Sequence, residues 1–331
     1  MSGQYANKQP EGFVNKIRTV AVVGASGNTG KFFAEHLLKT GQHIVTAISR
    51  VGSKAKCPEG ARAVNVDYDD EESLLSALTG QDFLIITLAI TAPEEINSKL
   101  VNAAVKAGVP YVMPNTHSIN FWNSESLRND IAVGNLIMAR IKQVKDAGLT
   151  CISLFIGFWY EHSIAMGDGG FGIDVKMRTA VFFDDGNKAV NTSTWDQCGR
   201  GLAALASLKR LPENEDDKSV TLVNFHDRPA FVSSFNINQK DMLKSVQRVT
   251  GTSDDDWSVS HRPSLDRYTE GGKDLEQGNM AGFYKQMYAR VFYPIGDADY
   301  ETDNALLGLS DEDLDEATRA GIELAEAGYS Y

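Results

Sequence analysis

The chain has 331 residues, is 42% hydrophobic and carries a formal net charge of −12, a length that suits two lobes and a surface that repels nucleic acid and anionic membranes. Its three cysteines, Cys57, Cys151 and Cys198, stand far apart without C-x-x-C spacing, which points to a reducing compartment, no disulfide framework and no metal site. No run reaches ~18 apolar residues, and residues 1–16 lack the apolar core of a secretory signal, so we expect a cytoplasmic chain without membrane contact.

Taken in order, residues 1–16 read as a loosely held N-terminal tail. Thr19-Val20-Ala21-Val22-Val23 is apolar and β-branched except at Ala21, which predicts a buried parallel strand. Gly24-Ala25-Ser26-Gly27-Asn28-Thr29-Gly30 follows at once. Residues 31–40 then place Phe33, Leu37 and Leu38 at helical spacing, Gly41 stops that helix, and 43–48 predicts the second strand. Further strands are expected over 63–67, 83–88, 111–113 and 150–156. Between them lie helices over 69–78, 93–107 (closed by Gly108) and 126–147 (stopped by Gly148). This alternation predicts an α/β fold with a Rossmann-type, doubly wound parallel sheet.

Beyond Gly157 the rhythm changes. A glycine-rich loop (167–172), strand-like pieces (175–183) and a helix over 195–208 capped by Thr194 come first. Candidate strands follow over 220–225 and 231–235, then a helix over 238–250 ending at Gly251 and a turn with a short strand over 254–259. An aromatic-rich amphipathic helix (280–292) and an acidic helix (311–327, capped by Ser310) complete the chain. We read 17–158 as an NAD(P)-binding Rossmann domain and 159–331 as a smaller α+β substrate-binding lobe, with 194–208 packing back on the first domain.

The strand–glycine–helix–strand unit has about the 30-residue extent of a dinucleotide site. Gly24 permits the tight turn, Gly27 lets the backbone approach a pyrophosphate, and Gly30 lets the helix lie close to the strand. Ser26, Asn28 and Thr29 complete that cradle, and the helix N-terminus turns its unpaired N–H groups and positive dipole toward phosphate. The second strand ends in Arg50, with Ser53 and Lys54 close behind, where an NAD-preferring site would carry Asp or Glu. A guanidinium fork, a hydroxyl and an ammonium suit a 2′-phosphate, so the expected cofactor is NADPH/NADP+.

These features, with Val66-Asp67-Tyr68, the 74–80 stretch ending Gly80-Gln81-Asp82, Gly157-Phe158-Trp159-Tyr160-Glu161-His162 and Asn191-Thr192-Ser193-Thr194-Trp195, resemble the NmrA-like, isoflavone-reductase-like family of atypical short-chain dehydrogenases. Fungal members look similar across about residues 17–300. The resemblance implies that Asp67 and Tyr68 flank the adenine and that Leu88 and Ala89 line the ribose and pyrophosphate path. It places Phe158, Trp159 and Tyr160 beside the nicotinamide and substrate.

A reductase has to protonate the developing alkoxide or stabilise its charge. The Tyr-x-x-x-Lys solution is absent: the spacing nearest the expected place, Tyr111 to Asn115, has no lysine. The isoflavone-reductase branch resembles a lysine-based design, but the corresponding slot holds Asn135, Leu136 or Ile137. Tyr160, His117, Asn115 and His162 are therefore the candidates near the cleft, the first three as the catalytic residues. Six histidines without H-x-x-x-H spacing give no metal site. Two functions follow. One is an NADPH-dependent reductase acting on a small aromatic or conjugated carbonyl, imine or alkene. The other is a non-catalytic NADP(H) redox sensor that signals to a protein partner, which the missing lysine favours. A homodimer is compatible with either.

Overall fold

A computed structural model describes residues 5–329. Its first half is built from β1 (Thr19–Val23), α1 (Asn28–Lys39), β2 (Ile44–Arg50), β3 (Arg62–Val66), α2 (Glu71–Leu78), β4 (Phe83–Ile86), α3 (Glu94–Ala107), β5 (Tyr111–Met113), α4 (Glu125–Asp130), α5 (Gly134–Asp146) and β6 (Thr150–Cys151). The six strands form one sheet in the order β3-β2-β1-β4-β5-β6, parallel throughout, as the alternating pattern predicts. Period-two alternation divides the core. Val20 and Val22 face Phe33 and Leu37 of α1, while Ala21 and Val23 face Leu74 of α2, Leu100 of α3 and Ile141 of α5. The chain reverses direction across the sheet between β1 and β4. Ligands bind at such a switch point, beyond the carboxyl ends of the strands.

The second half adds β7 (Leu154–Phe155), β8 (Phe158–Trp159), α6 (Tyr160–Ala165), β9 (Ile173–Asp174), β10 (Thr179–Phe183), β11 (Val190–Ser193), α7 (Trp195–Ser207), β12 (Ala230–Phe231), β13 (Phe235–Ile237), α8 (Gln239–Thr250), β14 (Ser258–Arg262), α9 (Ser264–Glu276), α10 (Ala281–Val291) and α11 (Leu314–Glu326). Its strands make small sheets, β13-β11-β8, β14-β10-β9 and β12-β7. Helix α7, capped by the Thr194 hydroxyl on Gln197 N–H, lies against α1. A Cβ on Gly199 would sit 2.6 Å from the Phe32 carbonyl oxygen, so only glycine permits that approach.

Several expected boundaries move. Within the tail, of which residues 1–4 lie outside the described residues, the stretch from Tyr5 is pinned rather than loose. Ala6 N–H donates to Pro212 O and Leu211 N–H to Asn15 Oδ1. The helix expected over 126–147 is two helices, because Ile131 is extended (φ −116°, ψ 119°) and Gly134 passes against the Arg128 backbone. The strand expected over 150–156 divides, since Leu154–Phe155 leaves the main sheet to pair with Ala230–Phe231. Leu222–Phe225 is a 3-10 turn rather than a strand. The last helix begins at Leu314, capped by Asp313, which accepts from Asp315 and Glu316 N–H, whereas Ser310 accepts from Arg200. Helix α9 was not anticipated. A Cβ on its Gly271 would meet Gly282 O at 2.7 Å, so the glycine lets α10 cross close by. No helix among the described residues is long and apolar enough to cross a membrane.

Candidate active site

The site grows from the end of β1. Gly24 takes φ +81°, and a Cβ there would lie 2.6 Å from Thr87 O. A Cβ on Gly30 would lie 2.2 Å from Gly24 O and 2.5 Å from Thr87 Oγ1. These two glycines therefore serve the fold of the turn itself. Gly27 differs. It is the N-cap of α1 with no side-chain cap, and the nearest atom to an added Cβ is Gly24 O at 3.3 Å. Its open side is a cradle in a cavity wall, beside Thr29, whose buried Oγ1 has no hydrogen-bond partner. An uncapped helix N-terminus, an open cradle and an orphaned hydroxyl together fit a bound pyrophosphate.

The cavity has a volume of about 420 Å³. Gly27, Asn28 and Thr29 form its floor, and Thr87, Leu88, Ala89 and Ile90 follow from the end of β4. The segment after β5 contributes Asn115, His117, Ser118 and Ile119, and β8–α6 contributes Phe158, Trp159 and His162. Val133, the N-cap of α5, and Ile137 one turn along it close one side. Phe283, Tyr284, Met287 and Tyr288 of α10 close another, with Tyr288 stacked on Phe158 at 4.3 Å between centroids. No Asp, Glu, Lys or Arg lines it. The α10 wall was missed from sequence as part of the site, although its aromatic amphipathic spacing was visible.

Each expected catalytic residue has a definite place. The structure does not bring Tyr160 to the cavity. It is fully buried, its hydroxyl bonds Thr318 Oγ1 at 2.8 Å between α6 and α11, and burial pushes its pKa far above the ordinary value. His117 does reach the wall, but burial lowers its pKa to about 4, so it is neutral. Its Nε2–H donates to Ile86 O at 3.3 Å, so the neutral ring commits its proton to a backbone carbonyl, a poor arrangement for giving one to a substrate. Asn115 lines the cavity and donates its amide to Leu88 O. Of the three residues in the lysine slot, Ile137 lines the cavity, whereas Asn135 is exposed and bonds Asn129. Among the described residues no acidic, cysteine and histidine cluster of three or more could hold a metal.

The adenosine side is open. Arg50 is exposed at the end of β2, makes no ion pair within 4 Å among the described residues, and its charge acts on the half-buried Tyr68. Ser53 Oγ accepts from Ala55 N–H, and Lys54 is exposed beside it. Asp67 is exposed, its Oδ1 accepting from Asp69 N–H.

Comparison with known proteins agrees with this geometry. Residues 24–136 match a family model described as NAD(P)H-binding. The chain is 26% identical over 305 residues to Oxidoreductase aprR of Aspergillus flavus, covering 90% of this chain and 96% of that one. Among solved structures it is similar to the pinoresinol-lariciresinol and phenylcoumaran benzylic ether reductases (TM-score 0.73, 15% identity, 92% and 99% of the two chains). It is also similar to an NADPH-dependent quinone oxidoreductase of Escherichia coli complexed with NADPH (TM-score 0.65, 16% identity, 90% and 98%). The chain is thus an oxidoreductase with an NAD(P)H-binding domain, on the fold shared by the pinoresinol-lariciresinol and isoflavone reductases that its sequence resembles.

Proposed function

We propose that the chain is an NADPH-dependent reductase whose acceptor is an uncharged, flat, conjugated carbonyl compound of the quinone class. One observation carries this reading: a cavity that opens on the cofactor turn, walled by aromatic side chains and lined by no carboxylate, lysine or arginine. The bound cofactor supplies a hydride. The chain's own part is to bind, orient and exclude water. The N–H groups at the start of α1 and the Gly27 cradle would take the pyrophosphate, while Arg50, Ser53 and Lys54 would take a 2′-phosphate. Leu88 and Ala89 would line the path to the cavity, with Asp67 and Tyr68 beside the adenine. Phe158, Trp159 and the α10 aromatics would hold a planar acceptor in line.

Proton demand selects the acceptor. A reduced simple ketone is an alkoxide about as basic as hydroxide, whose conjugate acid is near the ~15.7 of water, and it needs a positioned acid. A reduced quinone is a phenolate with a conjugate acid near ~10, which water protonates unaided. The likeness to a quinone oxidoreductase supports the same class. The test is NADPH oxidation with a quinone panel and matched saturated ketones, alongside calorimetry with NADP+ and NADPH. Quinones should be reduced faster by ~10²–10⁴, the usual contribution of a general acid. Equal rates for saturated ketones would refute the reading. No turnover with strongly different affinities for the two redox forms would favour the sensor.

A further inference from the structure

Three strands of observation converge on one side chain outside the sequence-expected site. Helix α11 is clamped to α6: a Cβ on Gly321 would lie 2.9 Å from Ile164 Cβ, and Thr318 Oγ1 bonds Tyr160 at their interface. Past Glu326 the helix ends in a Schellman motif. Gly328, with φ +75°, sends its N–H to Ala325 O, and Tyr329 N–H reaches Leu324 O at 3.2 Å. That turn carries Tyr329 onto the cofactor side of the cavity. Its ring meets His162 and Trp195 edge-on at 5.6 and 6.2 Å. Its hydroxyl accepts from Asn28 Nδ2 at 2.9 Å and lies 3.1 Å from His162 Nδ1. Asn28 is the first residue of α1, next to the Gly27 cradle, and both Asn28 and His162 line the cavity.

We propose that Tyr329 is a positioning residue of the cofactor site, whose hydroxyl closes a hydrogen-bond chain from Asn28 through Tyr329 to His162 and so clasps the end of α11 onto the cofactor turn. The Asn28 amide can only donate from Nδ2, so the phenol accepts there, and in the clasp its single proton goes to His162 Nδ1. Burial holds His162 neutral, with a pKa lowered to about 4, so an accepting Nδ1 fixes the ring as its Nε2–H tautomer. Asn28 is meanwhile held in one rotamer before cofactor arrives. The clasp acts by removing an ordering cost that binding would otherwise carry.

This inference rests on the cofactor-binding reading, and the experiment separates the two. Tyr329→Phe keeps the ring against Trp195 and His162 and removes only the hydroxyl, in a full chain with an unmodified C-terminus. NADPH is titrated by tryptophan fluorescence, and the His162 ring nitrogens are read by ¹⁵N NMR. Freeing one side chain before binding should weaken NADPH about two- to tenfold. The His162 signals should change from a single Nε2–H tautomer to an averaged pattern, with the melting temperature lowered by no more than a few degrees. A merely structural tyrosine would not alter that tautomer. Wild-type affinity in the variant, or an unchanged His162 pattern, overturns the clasp. Failure of the wild type to bind NADPH overturns the cofactor reading itself.

Discussion

Gly27→Val separates binding from folding more cleanly than any other change in the turn. Gly27 sits at φ −76°, ψ 172°, extended backbone that valine adopts, and its Cβ meets Gly24 O at a tight 3.3 Å that a shift of a few tenths of an ångström relieves. The stability loss is then that of a poor N-cap, about 0.5–1 kcal/mol, or roughly 2 °C in a chain of this size. The new methyl groups occupy the cradle. If they keep a pyrophosphate from two charge-assisted N–H contacts, at about 1.5–3 kcal/mol each, affinity falls by ~10²–10⁴. Gly30→Ala is the counter-control. Its Cβ would collide with Gly24 O at 2.2 Å, which is backbone and cannot swing aside, so it should lose several degrees of melting temperature. Calorimetric titration of NADPH into both variants, with melting curves beside it, gives the comparison. A folded Gly27→Val chain that binds like wild type would refute the cradle.

Three further changes test other parts of the site. Arg50→Ala should weaken NADPH by about one to two decades, the worth of a charge-assisted contact at 1.5–3 kcal/mol, and leave NADH unchanged; equal losses in paired titrations would move 2′-phosphate recognition elsewhere. Tyr160→Phe should keep turnover within about twofold, because its hydroxyl bonds Thr318 away from the cavity, and should lower stability by about 0.5–1.5 kcal/mol in urea melts; a hundredfold loss of kcat would restore it as a proton donor. Glu161 is buried, accepts the Trp195 N–H, and has its pKa raised to about 7, first by burial and then by the nearby carboxylates Glu312 and Asp196. Its folded form binds protons more tightly than its unfolded form, so stability should fall between about pH 4.5 and 7, on the order of 2–3 kcal/mol, and Glu161→Gln should flatten that slope in melts across the range.

The glycine turn was legible because most of it is local. Strand, turn and helix follow one another within residues 19–39, and Gly27 and Gly30 answer to Gly24 O inside that stretch, although Gly24 itself answers to Thr87 at the end of β4. The acceptor half is not local. Val133, His162 and Tyr284 come from segments joined only by tertiary packing, and no spacing in the chain announces their meeting. Tyr160 shows how the inference failed. It stands next to Trp159, which lines the cavity, but Tyr160 begins α6 and its side chain turns into the contact with α11. Of Asn135, Leu136 and Ile137, the helix phase of α5 brings Ile137 to the cavity, and spacing alone does not select it.

The apolar cavity is not for want of charge nearby. Helix α10 carries Lys285 and Arg290 among its wall residues, yet both point behind the wall. Lys285 pairs with Asp274 at 2.7 Å, and Arg290, fully buried, is held by Asp130 at 2.5 Å and by Asp297 at 2.7 Å. These ion pairs fix α10 against α9 and α4 while Phe283, Tyr284 and Met287 face the cavity. An ionised acceptor entering that space would shed its hydration and meet no counter-charge, a penalty of several kcal/mol. A neutral conjugated ring sheds little and stacks on the aromatic wall. Selection against charge and a stacking surface for a flat neutral ring therefore come from the same arrangement, and they favour the same class of acceptor.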